Sequence, residues 1–168
     1  VTTKGLCLRP EDTDGEFVSL GSPVVHRYQD QWCMWFHGRS SNCTAELPPI
    51  SSGRVGLAVS EDGLNWKYLG LALSENTEDW WSFDAAHVGL GDVVPLGVNA
   101  HYRNFQDIPS YGMAKAMYTF GGSDSDTELR ALGIDKDGTI PAMDLRIGVA
   151  ISQGDLKTFA RIEGEHPA

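Results

Sequence analysis

The sequence has little cysteine, few basic residues and no long hydrophobic run, and each shortage excludes a class of protein. Its three cysteines are too few and too unevenly spaced for a disulfide framework. Its 23 acidic residues against 13 basic ones give a formal net charge of -10, whereas nucleic-acid binding needs a basic face. No apolar stretch approaches the roughly 20 residues of a membrane-spanning helix. We therefore expect a soluble protein with no nucleic-acid partner and no membrane-spanning segment.

The abundant residue types favour a packed protein made of short elements. Five Trp, five Tyr and six Phe within a hydrophobic share of 41% argue for a globular core and against disorder. Nineteen Gly and eight Pro predict many turns. These two features together are typical of an all-β protein.

Three segments of the chain recur in the same order. The sequence MWFHGRS returns as MYTFGGS, RVGLAVS returns closely as RIGVAIS, and LGSPVV has a looser counterpart in LGDVVP. The paired positions are 34–40 with 117–123, 54–60 with 146–152, and 20–25 with 90–95. Self-similarity of this kind indicates an internal repeat.

Each copy of the repeat predicts four β-strands. In the strand predicted at 31–37, alternation places Met34 and Phe36 on one face, and Cys33 and Trp35 on the other. Both faces are largely apolar, which favours a sheet covered on both sides by neighbouring sheets. The strands are predicted at 24–28, 31–37, 54–60 and 64–69 in the first copy, and at 93–96, 113–120, 145–151 and 156–162 in the second.

The repeated four-stranded unit predicts two consecutive blades of a β-propeller, and a β-sandwich of about eight strands is the alternative. We expect one propeller-like domain over residues 1–168, incomplete by itself, with blade repeats at about 20–73 and 90–164. Two polar insertions in the second copy, roughly 97–112 and 123–144, are predicted loops, and long loops on a rigid scaffold often carry function.

Three segments of the first copy carry scaffold motifs: GSPVV at 21–25, MWFHGR at 34–39 and RVGLAVSEDGLNW at 54–66. Together they resemble the five-bladed β-propeller glycosidases, the superfamily of arabinanases, levansucrases and invertases. The last motif is similar to that superfamily's hairpin of strand, Ser-x-Asp-Gly, Trp and strand. A degraded second copy of the hairpin runs from Ser152 to Phe159. The resemblance covers most of residues 20–164 and implies a five-bladed propeller.

The resemblance also implies a chemistry. In that superfamily three carboxylates project from the inner strands of successive blades, and glycoside cleavage needs one carboxyl protonated while another is ionised. This chain departs from the pattern, because Ser22-Pro23 stand where an Asp-Pro is expected and no invertase-type Asn-Asp-Pro-Asn-Gly occurs. Asp92, which opens the second copy, is the best match to an inner-strand carboxylate.

The segment before Asp92 holds the most unusual cluster of residues in the chain. As a functional site, Trp80, Trp81 and Phe83 would stack against sugar faces. Asp84, His87 and Asp92 would then hydrogen-bond sugar hydroxyls. As a structural element, the aromatic residues would fill the gap between blades and the two Asp would cap turns. Both interpretations stay open at the level of sequence.

Three functions are compatible with these features. The first is glycoside hydrolysis or transfer, with Asp92 and Asp84 as the candidate catalytic carboxylates. The second is carbohydrate binding without cleavage, and the third is a structural subunit whose open blade edges contact a partner protein chain. No cofactor is expected, and no metal is expected because the five His lack metal-ligand spacing.

Overall fold

The computed structural model describes residues 5–28, 30–41, 52–78, 82–96, 115–122, 145–152 and 155–162. After a single 3₁₀ turn at Pro10–Asp12, these residues form eight β-strands. They are β1 (Phe17–Tyr28), β2 (Gln31–Ser40), β3 (Arg54–Ser60), β4 (Lys67–Leu73), β5 (His87–Pro95), β6 (Lys115–Gly122), β7 (Leu145–Ser152) and β8 (Ala160–Arg161). Nowhere in the described ranges is there a helix long and apolar enough to cross a membrane.

The strands form two separate four-stranded sheets, and the all-β prediction is confirmed. Strands β1 to β4 make the first sheet and β5 to β8 make the second, each in the order of the sequence. Every neighbouring pair is antiparallel, so each sheet is a simple meander.

The register of the strands reproduces the sequence repeat residue by residue. In the first sheet Met34 pairs with Ala58, and in the second the corresponding Met117 pairs with Ala150. The next rung repeats in the same way, with Trp35 opposite Leu57 and Tyr118 opposite Val149. Both copies therefore have the same strand pairing, and positions in the two sheets can be compared one to one.

The two sheets pack with opposite faces together. The shared core contains Trp35 and Leu57 of the first sheet, and Met117 and Ala150 of the second. The first-sheet counterparts of Met117 and Ala150 are Met34 and Ala58, which lie in a different cluster on the other face of the first sheet. A sandwich of two copies related by a twofold axis would bring equivalent faces together. Here the packing is head-to-tail, from one repeat to the next.

A second cluster covers the far face of the first sheet. Phe17 packs there with Phe36, their ring centroids 5.5 Å apart with an edge-on geometry, and Leu8 of the amino-terminal segment packs against the same cluster. The first sheet is thus covered on both faces, by the second sheet and by this segment.

Several strand boundaries differ from the predicted ones for local reasons. Strand β1 starts at Phe17 rather than near residue 24, because a β-bulge lets the strand pass through Ser22 and Pro23. Strand β4 starts later than predicted because Asp62 extends the preceding turn by accepting hydrogen bonds from Leu64 N and Asn65 N, both at 2.8 Å.

Candidate functional site

The candidate site lies where the two sheets meet at one end. Because both sheets are antiparallel meanders, β1, β3, β5 and β7 begin at this end, and the other strands finish there. Gly53 O accepts a hydrogen bond from Val88 N at 3.0 Å, which joins the start of β3 to the start of β5. We refer to this end of the sheets as the loop end, since the β2–β3, β4–β5 and β6–β7 connections all depart from it.

Asp84 is buried at the loop end and bound to an arginine from the last strand. Only 1% of Asp84 is exposed, and its Oδ2 accepts a hydrogen bond from Arg161 Nε at 2.7 Å. The other carboxylate oxygen accepts from Ser82 Oγ at 2.6 Å. Arg161 also donates to Ser74 O. This network ties the β4–β5 connection to strand β8.

Phe83 packs on two glycines of the second sheet. A Cβ added at Gly148 would lie 2.0 Å from the Phe83 ring, and one added at Gly121 would lie 2.8 Å from it. In the first sheet the counterpart of Gly148 is Gly56, where a Cβ would lie 2.3 Å from the Phe36 ring. The repeat position of Phe36 is occupied by the smaller Thr119, so Phe83 fills a space that Phe36 fills in the first copy.

His87 belongs to a cluster of three rings. His37, His87 and Phe120 lie 5.5 to 5.6 Å apart between ring centroids. Gly53 is pressed against the two imidazoles, because a Cβ there would lie 2.5 Å from His87 Cε1 and 2.8 Å from His37 Cε1. Burial lowers the pKa of His37 to about 4, and His87 and Arg39 lower it further. The His37 imidazole is therefore neutral at physiological pH.

Asp92 stands apart from this cluster on an exposed position of β5. It lies at the bulge between Leu90 and Asp92, opposite Tyr118, and its Oδ1 accepts a hydrogen bond from Val93 N at 2.8 Å. Its carboxylate therefore remains open to solvent and available to a ligand.

The loop end brings together Phe83, Asp84 and His87 but not Asp92. Asp84 Cβ lies against Gly121, which pairs with Val88, and four further positions of extended strand to Asp92 span about 13 Å. Paired carboxylates of glycosidases are only about 5 to 9.5 Å apart. Asp84 and Asp92 therefore do not form such a pair. The predicted ligands Trp80 and Trp81 lie outside the described residues.

Sequence reasoning missed the basic partners at this end of the molecule. Arg161 was not singled out as a partner of Asp84, which precedes it by 77 residues. Arg54 binds Glu75, with Nε 2.6 Å from Oε2, and also binds Glu16. Hydrogen bonds to Glu75 and Glu16 raise the pKa of Arg54 despite its partial burial. No sequence pattern connects such distant partners, and only the folded sheets bring them together.

The same residues offer no metal site. Within the parts of the chain that the structure describes, no three His, Cys, Asp or Glu side chains form a group that could hold a metal ion.

Three solved structures resemble the fold. A glycoside hydrolase aligns with a TM-score of 0.56 and 18% identity, covering 90% of this chain and 38% of that one. A complex of BT0996 and RGII aligns with a TM-score of 0.59 and 20% identity, covering 95% of this chain and 40% of that one. A glycosyl hydrolase from Bacteroides ovatus gives 0.50 and 14%, covering 84% and 30% respectively.

These similarities establish a fold shared with glycoside hydrolases, because identities this low carry no more than the fold. The chain spans two-fifths or less of the length of each of these proteins. No protein-family model matches the sequence, and no curated protein matches it either.

Proposed function

We propose that the two sheets are consecutive blades of a glycosidase-like β-propeller that binds carbohydrate. The observation that carries this proposal is the head-to-tail packing of two repeats with identical register, since propeller blades follow one another around an axis in this way. The fold shared with glycoside hydrolases supports the same conclusion. On this proposal β1 and β5 are the inner strands of their blades.

Asp92 is the proposed ligand-binding carboxylate of this pair of blades. It is exposed on an inner strand and makes only a local hydrogen bond within the described residues. An ionised carboxylate accepts hydrogen bonds from sugar hydroxyls, and such charge-assisted bonds contribute about 1.5–3 kcal/mol each. If the protein is catalytic, Asp92 requires a second carboxylate from outside the described ranges.

Asp84, Phe83 and His87 are proposed to hold the adjacent segment in place. Asp84 is occupied by Arg161 and Ser82, and Phe83 is packed on the second sheet. These contacts anchor the chain directly after Trp80 and Trp81, which are the proposed stacking residues for sugar rings. Two rigid aromatic side chains beside an anchored segment favour carbohydrate recognition.

The proposal is tested by titrating the chain with a panel of oligosaccharides while recording tryptophan fluorescence. For a glycan that binds, Asp92→Asn should weaken the affinity about tenfold or more, as expected for a lost charge-assisted hydrogen bond. Trp80→Ala and Trp81→Ala should weaken it further. Asp30→Asn is the matched control, because Asp30 is a fully exposed carboxylate in the β1–β2 turn. A flat response across the panel would contradict carbohydrate binding.

A partner protein is the second candidate function, and one observation favours it. The second sheet has a large apolar face that is not covered, and exposed apolar faces of this kind mark interaction surfaces.

A further inference from the structure

The outer face of the second sheet is apolar and exposed. Ile147 on β7 is 85% exposed and Tyr118 on β6 is 47% exposed, while Val149 between them is half-buried. We call these three residues the open face. Monomeric proteins seldom leave such neighbouring apolar side chains in water, because each loses the free energy of burial.

The repeat shows what such a face contacts when it is covered. The first-sheet counterparts of Tyr118, Ile147 and Val149 are Trp35, Val55 and Leu57, all 1% exposed or less. They are buried by the opposite face of the following sheet, which contributes Val88, Leu90, Met117 and Ala150 to the shared core. The established interface between the two sheets is therefore a template for the open face.

A second copy of this chain does not have a matching surface to offer. In the second sheet, Met117 and Ala150 are already buried between the two sheets. In the first sheet, the corresponding Met34 and Ala58 are buried beneath a cluster that includes Phe17. Both surfaces of the required kind are in use within each molecule.

We propose that the open face docks a third four-stranded antiparallel sheet of the same repeat, which presents a Met- and Ala-containing face like that of the second sheet. This inference rests on the blade arrangement proposed above and names the partner of its uncovered surface. The third sheet would bury Tyr118 and Ile147 as the second sheet buries Trp35 and Val55. It would leave the loop end, with Asp84 and His87, outside the contact.

The test supplies the third sheet covalently. An extra copy of residues 74–162 is joined after Ala168, with Tyr118→Phe in the added copy so that nitration reports only on the original Tyr118. Hydrogen–deuterium exchange of β7 and tetranitromethane nitration of Tyr118 are measured by mass spectrometry, with and without the added copy. We expect the added sheet to fold, and to slow nitration of Tyr118 and exchange in β7 by about tenfold or more, since buried groups react only through opening.

Two variants make the result specific to the open face. Ile147→Glu should leave the unextended chain as stable as before, because the side chain is exposed there, but should abolish the protection of Tyr118 in the extended chain. Leu64→Glu is the matched control, since Leu64 is an exposed apolar residue of the β3–β4 turn. It should change neither protein.

The outcomes separate this inference from the proposed function. An added sheet that stays unfolded, a Tyr118 that nitrates at the same rate, or protection that survives Ile147→Glu would overturn the inference. A dimer of the unextended chain that Ile147→Glu dissociates in sedimentation velocity would overturn it as well, by naming a second copy as the occupant. A failure of glycan binding with docking intact would overturn only the carbohydrate proposal.

Discussion

The two sheets have the same strand order and the same register, yet equivalent positions lie in opposite surroundings. Trp35 of the first sheet is fully buried, and its counterpart Tyr118 in the second is almost half exposed. The first sheet is covered on one face by the second sheet and on the other by a cluster that includes Phe17 and Leu8. A sequence repeat thus fixes strand pairing without fixing burial, because burial depends on which neighbour each copy has.

The largest effect should come from truncating the two equivalent aromatic residues. Trp35→Ala removes a fully buried ring and the hydrogen bond from its Nε1 to Leu156 O at 2.9 Å, so we expect a loss of about 3–5 kcal/mol in the free energy of unfolding. Tyr118→Ala should change it by about 1 kcal/mol or less, as for other exposed positions. Urea unfolding measures both. Equal losses would mean that the two faces are equally covered.

The next effect distinguishes the two candidate carboxylates. Asp84→Ala leaves the Arg161 guanidinium without its buried partner and should cost about 3 kcal/mol, a value at the lower end because Arg161 is partly exposed. Asp92→Ala removes only an exposed local contact and should leave the unfolding midpoint nearly unchanged. The reverse order of stabilities would contradict the structural role of Asp84.

The smallest effect is a pH dependence that only the first copy carries. In the unfolded chain His37 titrates near its usual 6.5, while in the folded protein its pKa is about 4. Between these values the unfolded state binds the extra proton, so the free energy of unfolding is largest above pH 6.5 and falls as the pH decreases toward 4.

His37→Phe isolates this contribution, because the second copy has Phe120 at the same repeat position. Urea unfolding of both proteins at about pH 7 and about pH 4.5 should show a smaller acid destabilisation in the variant. An unchanged pH dependence would show that His37 does not carry it.

Much of the fold could be predicted from the sequence, because the repeat and the alternation are local signals. Alternation in β2 correctly separated Cys33 and Trp35 from Met34 and Phe36, which now lie in different clusters. Strand starts were less predictable. The bulge at Ser22 and Pro23 hides the first part of β1, and glycines at 89 and 91 hide the first part of β5.

The candidate site was less predictable than the fold. The sequence singled out Asp84 and Asp92 together, but their separation depends on how the β4–β5 connection folds back onto Gly121. The pairing of Asp84 with Arg161 and the approach of His37 to His87 both join segments far apart in the chain. Such contacts depend on how the two sheets pack, which no local pattern encodes.

The head-to-tail packing of the two sheets is the central claim, and nuclear Overhauser effects from two aromatic residues test it most directly. The Trp35 indole proton is bonded to Leu156 O, and its ring meets the ring of Phe159 edge-on at 6.4 Å between centroids. We predict cross-peaks from the Trp35 indole proton to Leu156 and Phe159, and none from the Tyr118 ring to the first sheet. Cross-peaks between Tyr118 and first-sheet residues, with none from Trp35 to Leu156 or Phe159, would contradict the head-to-tail arrangement.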